Sequence, residues 1–210
     1  LSIGFAAYVF SMYTTTVANT NFIITTETIF LALFGYFFLK EKINLITFIS
    51  IILGMSGVLL IVGSSLSIQS SEQFLGNIVA FIMPISFAVL IMIVRRYPSV
   101  DMVPAQFTAG VAAAFIGFLI AGKLSISSHD LFLAFLAGFF QIGFGFILIT
   151  IGSQTTPAAV VGVLMLTESI FGPFWAWLFV NEVVPTIVLI GGGTIVFSIL
   201  LQSFYGRKST

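Results

Sequence analysis

The stretch "TTETIFLALFGYFFLKE", Thr25 to Glu41, sets a carboxylate, Glu27, inside a run so apolar that it belongs in lipid. About two thirds of the way along the chain, "LTESIFGPFWAWLFVNE", Leu166 to Glu182, uses the same arrangement with Glu168 and Glu182. The spacing is identical: 168 − 27 = 141 and 182 − 41 = 141. At that offset Thr15 meets Thr156, Ala18 meets Ala159, Thr26 meets Thr167 and Ile29 meets Ile170, while Thr28 meets Ser169, all without a gap.

Composition says where such runs live. Of 210 residues, 59% are hydrophobic and 7% charged, against roughly a quarter charged in a soluble domain, and the mean hydropathy is +1.21. A helix needs roughly 20 apolar residues to cross an apolar layer about 30 Å thick. Strands of a membrane barrel would alternate polar with apolar residues, and these runs do not. Charge, Gly and Pro separate apolar runs at 1–14, 17–39, 43–63, 74–94, 102–122, 130–152, 157–180 and 183–204. The expected fold is an all-α, polytopic integral membrane helix bundle.

Five crossings separate equivalent points of the two copies, and an odd number turns the second copy upside down. The bundle is therefore expected to hold two inverted-topology repeats. Projecting the second copy's start back, 74 − 141 = −67, places the first copy's start ahead of Leu1, so eight of an expected ten transmembrane helices are present. Residues 1–63 would be helices 3–5 of the first repeat, the first incomplete, and 74–204 helices 6–10 of the second, followed by a cytoplasmic tail at 205–210. If the runs alternate, Lys40, Lys42, Arg95, Arg96, Arg207 and Lys208 share one side and only Lys123 faces the other. Cytoplasmic loops carry the basic excess, so a multi-pass protein of the inner (plasma) membrane with a cytoplasmic C-terminus is expected.

Several function classes drop out. The net charge of zero offers no nucleic-acid surface. Without cysteine there are no disulfides, thiolate metal sites or iron–sulfur clusters, and the lone His129 has no second histidine with which to hold a metal. No nucleophile with a base and no His–carboxylate cluster is present, so neither an enzyme nor a cofactor is expected.

"TTPAAVVGVLMLTESIFGPFWAWLFVNE" at 155–182, followed by "LIGGGTIVFSILL" at 189–201, resembles the last two helices of EamA-type carriers of the drug/metabolite transporter superfamily. "TTTVANTNFIITTETIF" through "FLKEKINLITFISIILGMSGVLLIV", 14–62, fits the same pattern. The resemblance covers essentially the whole chain and implies export or exchange of small metabolites. That family commonly has a proline just after the position of Glu168. Here Ser169 and Thr28 stand in its place, which removes the usual cause of a helix break there.

Glu27 and Glu168 lie near the middle of their runs, where an ionised carboxylate costs at least about 2.5 to 3.5 kcal/mol and needs a partner, a water-filled cavity or a proton. No Lys or Arg lies near the middle of any run, so a proton or a cationic ligand is expected to supply the compensation. An ammonium-bearing metabolite, an amino acid or amine, fits better than a sugar phosphate. On a continuous helix Thr16 and Thr20 fall within about 20° of Glu27 and Asn19 about 80° away, and Trp175 falls about 20° from Glu168. Trp175 could cover a bound cation, or anchor the helix end at the interface. Gln141, mid-run, is a candidate for cavity lining or interhelical bonding. The stripe Ala105, Ala109, Ala113, Gly117, Ala121 reads as close packing, as do Gly54, Gly57 and Gly191–Gly193, and Pro84 and Pro173 as kinks. Glu41 and Glu182 end their helices at the membrane surface, where a carboxylate is most often structural.

The reading is a secondary transporter that moves a small polar metabolite by alternating access, with proton-coupled export or exchange, or else uncoupled facilitation. Its partners are that metabolite, protons and the lipid bilayer, and a homodimer is compatible with it. A membrane scaffold or ligand sensor, with glutamates that only tie helices together, is the alternative from another class.

Overall fold

The computed structural model describes residues 1–63, 70–120, 126–180 and 185–205, and all of their side chains except Ala18, Gly172, Pro173, Trp175, Ala176, Phe179 and Val180. Helices follow one another as α1 (Ser2–Thr14), α2 (Val17–Thr25), α3 (Glu27–Phe38), α4 (Leu45–Val62), α5 (Ser71–Ala80) and α6 (Ile82–Arg96). Then come α7 (Val103–Ile120), α8 (Ser128–Leu136), a π-helical segment (Ala137–Phe144) and α9 (Gly145–Ser153). The chain ends in α10 (Ala158–Met165), α11 (Glu168–Val180) and α12 (Thr186–Tyr205). In lipid every backbone N–H and C=O must be satisfied within the segment, which the helix does by itself. Among the described residues six helical stretches are long and apolar enough to cross a membrane, and Ala158–Phe171 is a shorter apolar helix.

Helix starts carry side-chain caps. Thr16 accepts from Asn19 N–H at 3.1 Å, Asn44 from Thr47 at 2.7 Å, Ser70 from Gln73 at 3.2 Å and Ser127 from Asp130 at 3.0 Å. Each satisfies one of the amides that a helix start leaves open. His129, in the first turn of α8, is exposed.

The interior is built from α3, α6 and α10, with α4 and α12 beside them. Leu31, Phe87, Ala88, Ile91, Ala158 and Val161 form one buried cluster. Val58, Leu166 and Ile195 form another. α4 and α12 touch backbone to backbone: a Cβ on Gly57 would lie 2.7 Å from Gly191 O, and one on Gly191 2.6 Å from Gly57 O. Small residues let membrane helices approach in this way. Gly192 and Gly193, expected to serve the same purpose, have nothing within 4 Å. The small-residue stripe of α7 is also mostly unused. Ser2 Oγ donates to Ala109 O at 2.7 Å, but Gly117 has no neighbour within 4 Å and no residue of α7 is buried.

Three of the sequence's apolar runs are broken helices. The run at 74–94 breaks at Phe81, one turn before Pro84, whose ring cannot sit against the carbonyl four residues back. The chain stays helical through 173, so the expected kink is not a break at that residue. The interruption falls before Glu168 instead.

Candidate functional site

The two breaks that bear on function lack proline and have the same construction. Thr26 Oγ1 donates to Ile23 O at 2.5 Å, and Thr167 Oγ1 to Leu164 O at 2.6 Å. These are equivalent at the offset of 141, as are the backbone bonds Thr26 N–H to Ile23 O and Thr167 N–H to Leu164 O, both at 3.1 Å. In both, the hydroxyl and the amide of one threonine return to the same carbonyl three residues earlier, within the tight turn that divides the run into two helices. Glu27 and Glu168 then begin α3 and α11. A Thr-Glu pair thus stands at each break, and no proline does.

The breaks bring the two carboxylates into one region. Glu168 acts electrostatically on Glu27 and also on the Tyr8 phenol of α1. Glu27 is 4% exposed, and among the described residues no hydrogen bond or ion pair holds its carboxylate. Glu168, by contrast, is exposed. Lys and Arg occur among the described residues only at 40, 42, 95 and 96, at or beyond the ends of α3 and α6. Sequence reasoning missed Tyr8. A polar ring within the short first run was the available signal, but nothing in a linear reading brings Tyr8 within the field of Glu168.

Other expected residues lie differently. Thr16 lies just before α2, which starts at Val17, and a tight turn at Thr26 separates Asn19 and Thr20 on α2 from Glu27 on α3. Thr16 is the α2 cap. Thr20 Oγ1 shares a hydrogen bond with Ser11 Oγ at 2.8 Å, with both residues fully buried. Asn19 Nδ2 donates to Thr15 Oγ1 at 3.1 Å, and that hydroxyl donates to Asn77 Oδ1 at 2.7 Å. These polar groups tie α1, α2 and α5 together. Gln141 is exposed in a π-helical segment with no buried residue, so it does not line the interior; Gln106 makes the interhelical bond instead, with Nε2 donating to Thr150 Oγ1 at 3.0 Å. The Trp175 side chain and Glu182 lie outside the described residues.

Glu41, expected to be an ordinary surface carboxylate, is a hub. Arg95 Nε and Nη2 donate to its Oε1 at 2.9 and 2.5 Å, and Ala158 N–H, in the first turn of α10, donates to Oε2 at 2.7 Å. Arg95 Nη1 also donates to Gln154 O at 3.0 Å. Lys40, at φ 55, turns the backbone through the left-handed region, and Glu41 N–H returns to Gly35 O at 3.0 Å. The reversal lays the carboxylate over Gly35, where a Cβ would meet Glu41 Oε2 at 3.1 Å and Ala158 Cβ at 3.2 Å. A helix N-terminus with an arginine beside it is a favourable seat for a carboxylate.

Comparisons with known proteins agree with this architecture. An "Uncharacterized transporter" of Methanothermobacter thermautotrophicus is 28% identical over 80% of this chain and 51% of its own length. Another "Uncharacterized transporter", from Clostridium kluyveri, is 25% identical over 100% of this chain and 70% of its own. The chain thus spans about half the length of the first relative. A protein solved by crystallography shares the fold with a TM-score of 0.82 at 15% identity, over 96% of this chain and 72% of that one. The description of the EamA-like transporter family matches residues 1–63 and 71–204, and with two Thr-Glu helix breaks in a polytopic bundle the chain belongs to that family.

Proposed function

We propose that the protein is a secondary transporter that carries a small polar metabolite bearing an ammonium group across the inner membrane by alternating access, its C-terminus in the cytoplasm. The observation that carries this reading is that two repeat-equivalent carboxylates, Glu27 and Glu168, each at the start of a helix after the same turn, lie within electrostatic reach of each other where the described residues place no Lys or Arg. Two carboxylates within electrostatic reach repel each other when both are ionised, so the pair favours one proton or one bound cation. Exchange of the two gives export or exchange coupled to protons: the exposed Glu168 receives the ammonium group, and Glu27 behind it holds or releases the proton. Tyr8, within the field of Glu168, supplies a hydroxyl to the same region.

The test is thermal stabilisation of the purified protein across a panel of amines, amino acids and phosphate esters, with Glu168→Gln as control. A ligand at about 100 times its Kd stabilises by about 2.7 kcal/mol through linkage alone. An amine or amino acid that stabilises the native protein and not the variant supports the reading. A phosphate ester that stabilises both overturns the substrate class. Flux driven by a pH gradient that survives in both Glu27→Gln and Glu168→Gln overturns the proton role. If no compound stabilises a well-folded protein, the proposed substrate class falls and the scaffold reading gains ground.

A further inference from the structure

Two helix crossings are equivalent at the offset of 141. α3 at 27–38 corresponds to 168–179 in α11, and α10 at 158–165 corresponds to 17–24 in α2. In the structure they are in different conditions. α3 lies closely on α10: Thr28 Oγ1 donates to Gly162 O at 3.0 Å, and a Cβ on Gly162 would lie 2.8 Å from Thr28 Cα. Among the described residues α11 and α2 are not packed in this way.

We infer that this arrangement is the state shut at the Lys40 end, and that Glu41, Arg95 and the first-turn amide of α10 form the latch that holds it shut. This rests on the alternating-access reading above. Glu41 belongs to the first segment of the family match, while Arg95 and Ala158 belong to the second. One carboxylate therefore bridges the two halves, from the end of α3 to the last turn of α6 and the first turn of α10. Parting α3 from α10 breaks the Oε2 contact directly, and Arg95, which also donates to Gln154 O just before α10, ties α6 and the Oε1 contact to the same movement. Directly beneath lie Leu31, Phe87, Ala88, Ile91, Ala158 and Val161, a buried apolar plug between the latch and Glu27. Gly35 is the position that admits the latch, since it leaves room for the carboxylate over α3.

The chain contains no cysteine, and once any cysteine elsewhere in the full protein is changed to serine, one introduced thiol reports on the plug without background. Ala88, 1% exposed, lies seven residues before Arg95 on α6, about 10 Å along the helix axis. The experiment measures labelling of Ala88→Cys by a membrane-impermeant maleimide, in the full protein reconstituted in vesicles, with Glu41 native or changed to Gln. Ser99→Cys, on the exposed loop at the same end, controls for reagent access. The latch predicts labelling about tenfold faster in the Glu41→Gln background, the population shift that follows loss of a charge-assisted hydrogen bond, with Ser99→Cys unchanged. Equal rates within twofold, in a variant that melts as the native protein does, would overturn it. Should Glu41→Gln fail to fold, Glu41→Asp takes its place: it keeps the charge but is one methylene too short to reach Arg95 and Ala158 together. Intermediate labelling then supports the latch, and native labelling overturns it. The assay needs no substrate, so a silent ligand panel with faster labelling would reject the proposed substrate and keep the latch.

Discussion

Glu27 and Glu168 stand at equivalent positions and enter their helices through the same threonine-made turn, yet one is 4% exposed and the other is exposed. Their neighbours explain the difference. Beside Glu27, Thr28 docks on Gly162 across the two halves of the chain. The equivalent residues, Ser169 and Asn21 (169 − 141 = 28 and 162 − 141 = 21), form no such bond among the described residues, and Asn21 is exposed. Backbone form is thus repeated, whereas environment is not. In this structure one of the two equivalent crossings is closely packed, and among the described residues the other is not.

Breaking the shut crossing has the largest expected effect. Gly162→Leu drives a side chain into the α3 backbone and should cost about 3 kcal/mol, the upper part of the usual range for overpacking. The equivalent change, Asn21→Leu, should stay within about 0.5 kcal/mol, as exposed substitutions do. Thermal unfolding of the two variants side by side checks both, and equal losses would remove the asymmetry. Next is Arg95→Ala, which leaves the Glu41 carboxylate with the Ala158 amide alone and should cost about 2 kcal/mol, measurable by denaturant unfolding in detergent. Thr26→Val and Thr167→Val, nearly isosteric, each remove one hydroxyl-to-carbonyl bond and should cost about 1 kcal/mol apiece. Agreement between these two would confirm that the breaks are built alike even though their surroundings differ. The smallest effect belongs to Ser169→Ala, expected within about 0.5 kcal/mol, while Thr28→Val should lose about 1 kcal/mol with its bond to Gly162. A Ser169→Ala loss as large as that of Thr28→Val would mean that the second crossing is shut as well.

Much of the fold was legible because its signals are local or periodic. Apolar runs between charges mark helices that lipid obliges to form, and a gapless offset of 141 residues pairs Glu27 with Glu168 by arithmetic alone. Part of the site was not legible. Projecting Thr16, Asn19 and Thr20 onto the face of Glu27 assumed an unbroken helix, whereas Thr16 caps α2 and a tight turn at Thr26 divides α2 from α3. Helical angle could not say whether Gln141 faces a neighbour, since a helix apolar all round gives no preferred face.

The sequence by itself determined that this is a polytopic helical membrane protein built on a repeated Thr-Glu element, and that two carboxylates must find compensation deep in an apolar layer. Only the tertiary structure decided that Glu168 lies within electrostatic reach of both Glu27 and Tyr8, that α3 packs closely on α10, and that Glu41 grips Arg95 and the start of α10. The physical reason is distance along the chain. Glu41 and Ala158 are 117 residues apart, and a hydrogen bond between them leaves no mark in composition or periodicity. It exists because close packing of α3 on α10 carries the end of one helix to the start of the other.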